Sequence, residues 1–99
     1  MTIKCMKLSS GEEIIGEVVS DPKEFVLKIK NPASIHIVPA QNGTMGVAMM
    51  PWLSYAEETQ FTIAKDNVMV LPFEPAVEFL NRYNTMFGSG IQISNIIPK

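Results

Sequence analysis

The sequence predicts a mainly β fold of short, bent antiparallel strands followed by one C-terminal helix. Apolar and polar residues alternate with period two through roughly the first seventy positions, and turn-forming residues separate the runs. Apolar residues make up 46% of the 99-residue chain and charged residues 18%, a balance typical of a folded domain. After Pro75 the apolar spacing changes to three and four residues, which indicates a helix.

A tight turn joins the first two strands, and the second strand is predicted to bend. Met6 and Leu8 share one side of the first strand. Gly11 supplies the turn, because a residue without a Cβ adopts a positive φ readily. Gly16 lies in the middle of the second strand, at residues 14–19. Glycine weakens a strand interior, so Gly16 is expected to mark a bend or a close backbone contact.

An elaborated connection is predicted between strands three and four. The third strand covers residues 25–30, and Asn31 and Pro32 interrupt it. A second alternating run at residues 34–38 leads to a hairpin tip centred on residues 42–43, an Asn-Gly pair.

The segment at residues 47–56 is almost entirely apolar. Pro51 argues against a regular central strand and predicts a bend or bulge. Trp52 and the neighbouring methionines either fill the core or face a partner subunit, and the sequence leaves both roles open. Runs at residues 61–65 and 68–73 flank a short Asp-Asn turn, which predicts a final hairpin.

One domain is predicted over the whole chain, with strands at residues 1–73, a helix at 74–88 and a tail at 89–99. Apolar residues recur at helical spacing, namely Ala76, Phe79, Leu80, Tyr83 and Phe87. Pro75 suits the first turn and Gly88 the stop. The apolar stripe is expected to dock on the sheet, and the alternating apolar residues of the tail are suited to add a strand to an edge.

No catalytic, metal or cofactor site is predicted, and we expect that the protein is not an enzyme. Glu12 and Glu13 are adjacent, so in a strand they point to opposite faces and cannot form a facing carboxylate pair. The chain has one cysteine, Cys5, so an internal disulfide is excluded. With only one histidine, His36, the usual zinc ligand sets cannot be assembled. The glycine spacings match no phosphate-binding loop.

The net charge and the length of the apolar runs limit which partners and which cellular location are expected. A net charge of -2 gives no overall attraction to nucleic acid or to anionic membranes, so nucleic-acid binding would require a local site. The apolar runs fall far short of the roughly 20 residues that span a bilayer, and no signal-peptide pattern is present. We expect a cytoplasmic protein of a bacterial cell or a phage-infected host, with no membrane partner.

Two motifs resemble those of Sm and LSm proteins. The spacing Leu-x-x-Gly-x-x-apolar-x-Gly-x-apolar of the first Sm motif is reproduced by Leu8, Gly11, Ile14, Gly16 and Val18. The run IAKDNV, from Ile63 to Val68, resembles the second motif, apolar-Arg-Gly-Asp/Asn-Asn-apolar. The chain is also similar to divergent Sm-like proteins of marine bacteriophages, which suggests a phage source.

The resemblance implies a strongly bent, five-stranded antiparallel small barrel over residues 1–73. It also implies a homo-oligomeric ring, a pentamer to heptamer, in which the fourth strand pairs with the fifth strand of the next subunit. The runs at residues 61–65 and 68–73 carry little edge protection, and unpaired apolar edges favour such association. The usual helix before strand one is missing, so the C-terminal helix is expected to cover the barrel mouth or the ring face.

Sm-like rings usually bind single-stranded RNA, and the resemblance assigns candidate contacts to Phe25, Lys65 and Asn67. Phe25 falls at the base-stacking position, and Asn67 matches the second motif. Val26 and Ala64 replace the family's Asn and Arg, and Lys65 restores charge but not bidentate geometry. Both residues also have a purely structural interpretation: Phe25 as a core residue of the strand, and Asn67 as part of the turn. The alternative function is a phage or bacterial assembly module that keeps the ring, has lost RNA binding and binds other proteins.

Overall fold

The computed structural model describes residues 2–87, which form six strands, one 3₁₀ turn and one helix. The elements are β1 (Thr2–Leu8), β2 (Glu13–Val18), β3 (Val26–Pro39), β4 (Met45–Pro51), β5 (Gln60–Ala64), β6 (Val68–Phe73) and α1 (Val77–Phe87). The strands are antiparallel in the order β4-β3-β2-β1-β6, and β5 also pairs with β3. The mainly β class, the bent antiparallel fold and the C-terminal helix are confirmed. Gly88 and the predicted tail lie outside the described residues.

β3 is the long central strand, and two shorter strands share one of its sides. Its first part pairs with β5, and its second part, from Ala33 onward, pairs with β4. β4 and β5 are therefore two parts of one sheet edge, separated by residues 52–59. The predicted interruption at Asn31 and Pro32 lies within β3 and does not end it. The extra strand relative to the five expected arises because one edge is divided into β4 and β5.

The predicted hairpin between the last two strands is wrong. β5 pairs with β3, whereas β6 pairs with β1, where Cys5 lies opposite Phe73 and Leu8 opposite Val68. The 3₁₀ turn Lys65–Asn67 thus carries the chain from one sheet edge to the other. Among the described strands, β4 and β5 are left with one unpaired side, and so is β6.

Gly16 lies at a β-bulge that bends β2 and β3 together. The β2–β3 register shifts at this point, so Gly16 alone faces Asn31 and Pro32. A Cβ on Gly16 would lie 2.7 Å from both Cγ1 and Cδ1 of Ile29 and 3.1 Å from Cα of Pro32. Asn31 adopts the left-handed region, with φ of 52°. The predicted bend and close backbone contact at Gly16 are both present.

The sheet curls around a core of aliphatic side chains. The buried members of this core are Met6, Leu8, Ile14, Leu27, Ile29 and Ile63. Trp52 packs against the core and meets Phe61 edge to face, with ring centroids 6.2 Å apart. Its indole N–H donates to the Glu12 carboxylate at 3.2 Å. Trp52 therefore takes the core role, whereas Met45 and Met50 are 65% and 51% exposed.

Helix α1 docks on the other face of the sheet, as its apolar stripe predicts. The buried residues of this second cluster are Cys5, Ile15, Ala33 and Tyr83. Phe79 and Met86 pack beside Tyr83 from the same helix. The Tyr83 hydroxyl donates to the carbonyl oxygen of Asn31 at 2.8 Å, and the carbonyl oxygen of Lys30 lies 3.3 Å from the same hydroxyl. The helix is thus tied to the β3 side of the bulge.

Candidate nucleic-acid interface

Phe25 lies at the end of the β2–β3 loop, immediately before β3. Asp21 orders this loop: its carboxylate accepts the N–H of Lys23 at 2.8 Å, and its carbonyl accepts the N–H of Glu24 at 3.0 Å. The Phe25 side chain is 92% exposed, whereas the buried core of β3 begins at Leu27. Phe25 therefore has no core role within residues 2–87.

The 3₁₀ turn Lys65–Asn67 is fixed mainly by backbone contacts. The N–H of Val68 donates to the carbonyl oxygen of Lys65, which closes the turn. The carbonyl oxygen of Asn67 accepts the N–H of Ser9 at 2.8 Å, which anchors the turn to the β1–β2 connection. Asn67 thus takes the expected structural role in the turn, and its exposed side chain remains on the surface.

The two loops meet at one end of the β3–β5 pair. Val26 and Ala64 form the last residue pair at this end. Phe25 immediately precedes Val26 and Lys65 immediately follows Ala64, so both lie next to that pair. The Lys65 ammonium group donates to the carbonyl oxygen of Pro22 at 2.8 Å. The structure therefore brings the aromatic ring and the lysine to the same end of the sheet, where the turn with Asn67 also begins.

Lys65 has a structural role that the sequence did not reveal. Its bond to Pro22 joins positions 43 residues apart in the chain, and no local pattern predicts such a contact. An ammonium group carries three donors, so one bond to Pro22 leaves further donors and the full positive charge. Lys65 both holds the two loops together and presents a cation beside Phe25.

The facing pair Val26 and Ala64 limits what the site does chemically. Neither side chain carries a hydrogen-bonding group, and they stand where the Sm resemblance places Asn and Arg. The site therefore offers an aromatic platform, the amide of Asn67 and the charge of Lys65, without the guanidinium fork. Such a set suits contacts that do not depend strongly on base identity.

A cleft of about 420 Å³ adjoins these loops, and sequence reasoning missed it. Its lining includes Lys4, Ser20, Leu27, Lys65, Leu71 and Pro72. Lys4 also forms an ion pair with Glu74, just after β6. These residues come from β1, the β2–β3 loop, β3, the 3₁₀ turn and β6, so no motif spacing brings them together.

Cys5 is buried and lacks the features of a reactive thiol. Burial raises the pKa of its thiol, and the nearby Glu13 carboxylate raises it further. The thiol therefore stays protonated at neutral pH, which suppresses nucleophilic chemistry. Within the described part of the chain, no group of three or more His, Cys, Asp or Glu residues is placed to hold a metal ion.

No helix within residues 2–87 has the length and apolar character needed to cross a membrane.

Comparison with known proteins identifies the fold family. A family model described as the Sm-like domain matches residues 5–78 of the 99-residue chain. The match includes both Sm-type motifs and both loops of the candidate interface, whereas most of α1 lies beyond it. No curated protein matches the chain. Because the matched region covers well over half of the sequence, the chain belongs to the Sm-like family.

Proposed function

We propose that this protein forms a homo-oligomeric ring and binds single-stranded RNA through Phe25, Lys65 and Asn67. The observation that carries the RNA proposal is the phenyl ring of Phe25, which is 92% exposed on an ordered turn beside a lysine. Base stacking needs an accessible aromatic face, and a nearby cation attracts the phosphate backbone. Stacking on a base would also remove the apolar area of this ring from water.

The proposed recognition is weak for one subunit and tolerant of sequence. Val26 and Ala64 contribute no hydrogen bonds to a base edge, so stacking on Phe25 and the charge of Lys65 carry most of the interaction. A ring repeats this site in every subunit. One RNA strand that contacts several copies gains avidity without any new type of contact.

The RNA proposal predicts that Phe25→Ala weakens RNA binding by roughly 5- to 150-fold, the equivalent of about 1–3 kcal/mol for one stacked base. The measurement is fluorescence anisotropy of labelled U-rich and A-rich oligonucleotides between low and physiological salt. Asn67→Ala should weaken binding less. Tyr55→Ala is the matched control, because Tyr55 is 85% exposed but lies in the segment at residues 52–59.

Two outcomes would contradict the RNA proposal. One is a lack of binding by the unmodified protein even at low salt, where phosphate contacts are strongest. The other is an equal loss of affinity in the Phe25 and Tyr55 variants, which would remove any special role for the β2–β3 loop.

The ring proposal rests on the two unpaired edges of the sheet. β6 carries Met69 and Leu71, which are 61% and 60% exposed, and no charged residue lies within this strand. The opposite edge, formed by β4 and β5, is also free of charged residues. Unpaired strands without charges readily add a further strand. Pairing β6 of one copy with the β4 and β5 edge of the next is heterologous, and such contacts generate a ring when the rotation between successive copies closes.

Adding charge to the β6 edge should prevent assembly. The double variant Met69→Lys, Leu71→Lys is expected to elute as a monomer by size exclusion with light scattering, whereas the unmodified protein has the mass of a pentamer to heptamer. Val77→Lys is the control, because Val77 is 71% exposed and belongs to α1 and not to an edge strand. A monomeric unmodified protein at micromolar concentration, or a double variant of unchanged mass, would overturn the ring proposal.

A second candidate function is a ring that binds other proteins. It is favoured by the run from Ala33 to Ala56, which contains no Asp, Glu, Lys or Arg. Within this run Ile37, Met45, Met50 and Tyr55 are exposed, and aromatic and methionine side chains are enriched in protein interfaces. An assembled ring that fails to bind RNA would favour this function over the first.

A further inference from the structure

The cleft beside Lys65 has the chemical character of a nucleotide pocket. Val18, Leu27 and Leu71 give it apolar walls, and two lysines line it. None of the described residues that line it is acidic. Its volume of about 420 Å³ lies within the range of roughly 300–1,000 Å³ typical of small-molecule sites. Apolar walls combined with two lysines suit a planar base that carries a phosphate.

Ser20 adds an unsatisfied polar group to this cleft. Its Oγ is buried and has no hydrogen-bond partner among residues 2–87. Buried hydroxyl groups in folded proteins are nearly always hydrogen-bonded, so this one calls for a partner. Rotation about χ1 would present the hydroxyl to a base or sugar in the cleft, because Ser20 is part of its lining.

The cleft is continuous with the interface that carries Phe25. Pro22 and Lys65, which join the two loops through a 2.8 Å hydrogen bond, also line the cleft. A strand stacked on Phe25 therefore reaches the cleft with its neighbouring nucleotide. We propose that the cleft binds a second nucleotide of the same single strand, with the base against the aliphatic walls and the phosphate at Lys4 and Lys65. This inference rests on the proposed RNA-binding function.

Glu74 competes with the nucleotide phosphate for Lys4. The Lys4 ammonium group is paired with the Glu74 carboxylate, whose side chain is 78% exposed. The carboxylate is thus accessible and able to leave, while the Lys4 side chain is only 24% exposed and stays in place. Glu74 lowers the affinity of the cleft for phosphate, so removing its charge strengthens binding.

The chain offers matched charge variants for the test. Lys4→Gln should lower the slope of log Kd against log salt by about 0.7, the value for one phosphate contact on a single strand. Lys30→Gln removes the same charge from an exposed position outside the cleft and should leave the slope unchanged. Glu74→Gln should tighten oligonucleotide binding at low salt more than Glu78→Gln, which removes an equal charge from α1.

A second measurement observes the cleft directly. Addition of uridine monophosphate should shift the methyl NMR signals of Leu27 and Leu71, and leave those of Leu53 and Leu80 unchanged, because only the first two line the cleft. Inorganic phosphate at equal ionic strength should shift neither pair. If inorganic phosphate alone shifts the Leu27 and Leu71 signals as much as uridine monophosphate does, the cleft binds a simple anion, and the inference is overturned.

The salt series separates this inference from the RNA proposal. If the unmodified protein binds RNA and Phe25→Ala weakens binding, but the Lys4 and Lys30 variants share one slope, the second subsite is wrong and the RNA proposal stands. If no oligonucleotide binds at any salt concentration, the RNA proposal and the second-subsite inference are both wrong. A reduced slope for Lys4→Gln alone supports the subsite.

Discussion

Gly16→Val is expected to lower the free energy of unfolding by about 3 kcal/mol, the upper end of the usual cost of overpacking a core. The first added carbon would lie 2.7 Å from two side-chain atoms of Ile29, which is fully buried. It would also lie 3.1 Å from the Pro32 backbone. Valine adds two more carbons, so the bulge must open or the Ile29 side chain must leave its rotamer.

The measurement is chemical denaturation at fixed protomer concentration, since assembly would otherwise alter the apparent stability. Gly46→Ala is the control for a strand glycine. A Cβ there would lie 3.7 Å from the carbonyl oxygen of Val38, an ordinary contact, so stability should change by only about 0.5 kcal/mol. Gly16→Ala should lie between the two variants. Equal stability of the Gly16→Val and Gly46→Ala proteins would show that the bulge tolerates side chains.

Tyr83→Ala is expected to cost about 3–5 kcal/mol and to release α1 from the sheet. Tyr83 is 3% exposed, and its ring packs on that of Phe87 with centroids 4.7 Å apart. Its removal leaves a cavity between the helix and the sheet and frees the Asn31 carbonyl. Limited proteolysis should then cut within residues 77–87 before it cuts the strands. Tyr55→Ala, at an 85% exposed position, should leave both stability and cleavage unchanged.

Tyr83→Phe separates the hydroxyl from the ring. At neutral pH the loss of the hydrogen bond to Asn31 should cost about 1–2 kcal/mol. Burial raises the pKa of Tyr83 above its ordinary value near 10, and Glu17 raises it further. Above that ordinary value the unfolded chain ionises while the folded chain does not, so the native protein loses stability as pH rises.

The phenylalanine variant lacks this dependence. The stability difference between the two proteins should therefore shrink above pH ~10, by up to about 1.4 kcal/mol per pH unit. Denaturation curves at pH 8 and pH 11 measure the difference. Cys5 contributes equally to both proteins, so it cancels in the comparison. A constant difference between the two pH values would show that Tyr83 ionises as readily in the folded as in the unfolded chain.

The features that the sequence predicted have local signals. Gly16 within an apolar strand indicated the bend, because glycine is used in a strand interior mainly where a Cβ does not fit. The spacing of Phe79 and Tyr83 indicated a helix with one apolar face, and that face is the one that packs on the sheet. The turn glycines Gly11 and Gly43 both have positive φ, as their turn positions required.

The features that sequence reasoning missed depend on contacts between distant residues. A short turn between two apolar runs usually makes a hairpin, yet β5 pairs with β3 and β6 pairs with β1, so both last strands have partners far away in the sequence. The Lys65 bond to Pro22 and the cleft at Lys4 depend on that same closure. At the candidate interface, the resemblance to Sm proteins identified Phe25, but only the fold revealed its exposure.

The position of α1 near the end of the described chain also governs how the protein folds on the ribosome. Among the described elements β1 is synthesised before the others, whereas its partner β6 and the helix that covers Cys5 follow all the other strands. Until residue 73 has left the ribosome, β1 is paired only with β2, and until α1 has followed, the face that carries Cys5 and Ile15 stays uncovered. The full set of these contacts therefore forms only after α1 has been synthesised, and a chain that stops before this helix exposes an apolar face that favours aggregation.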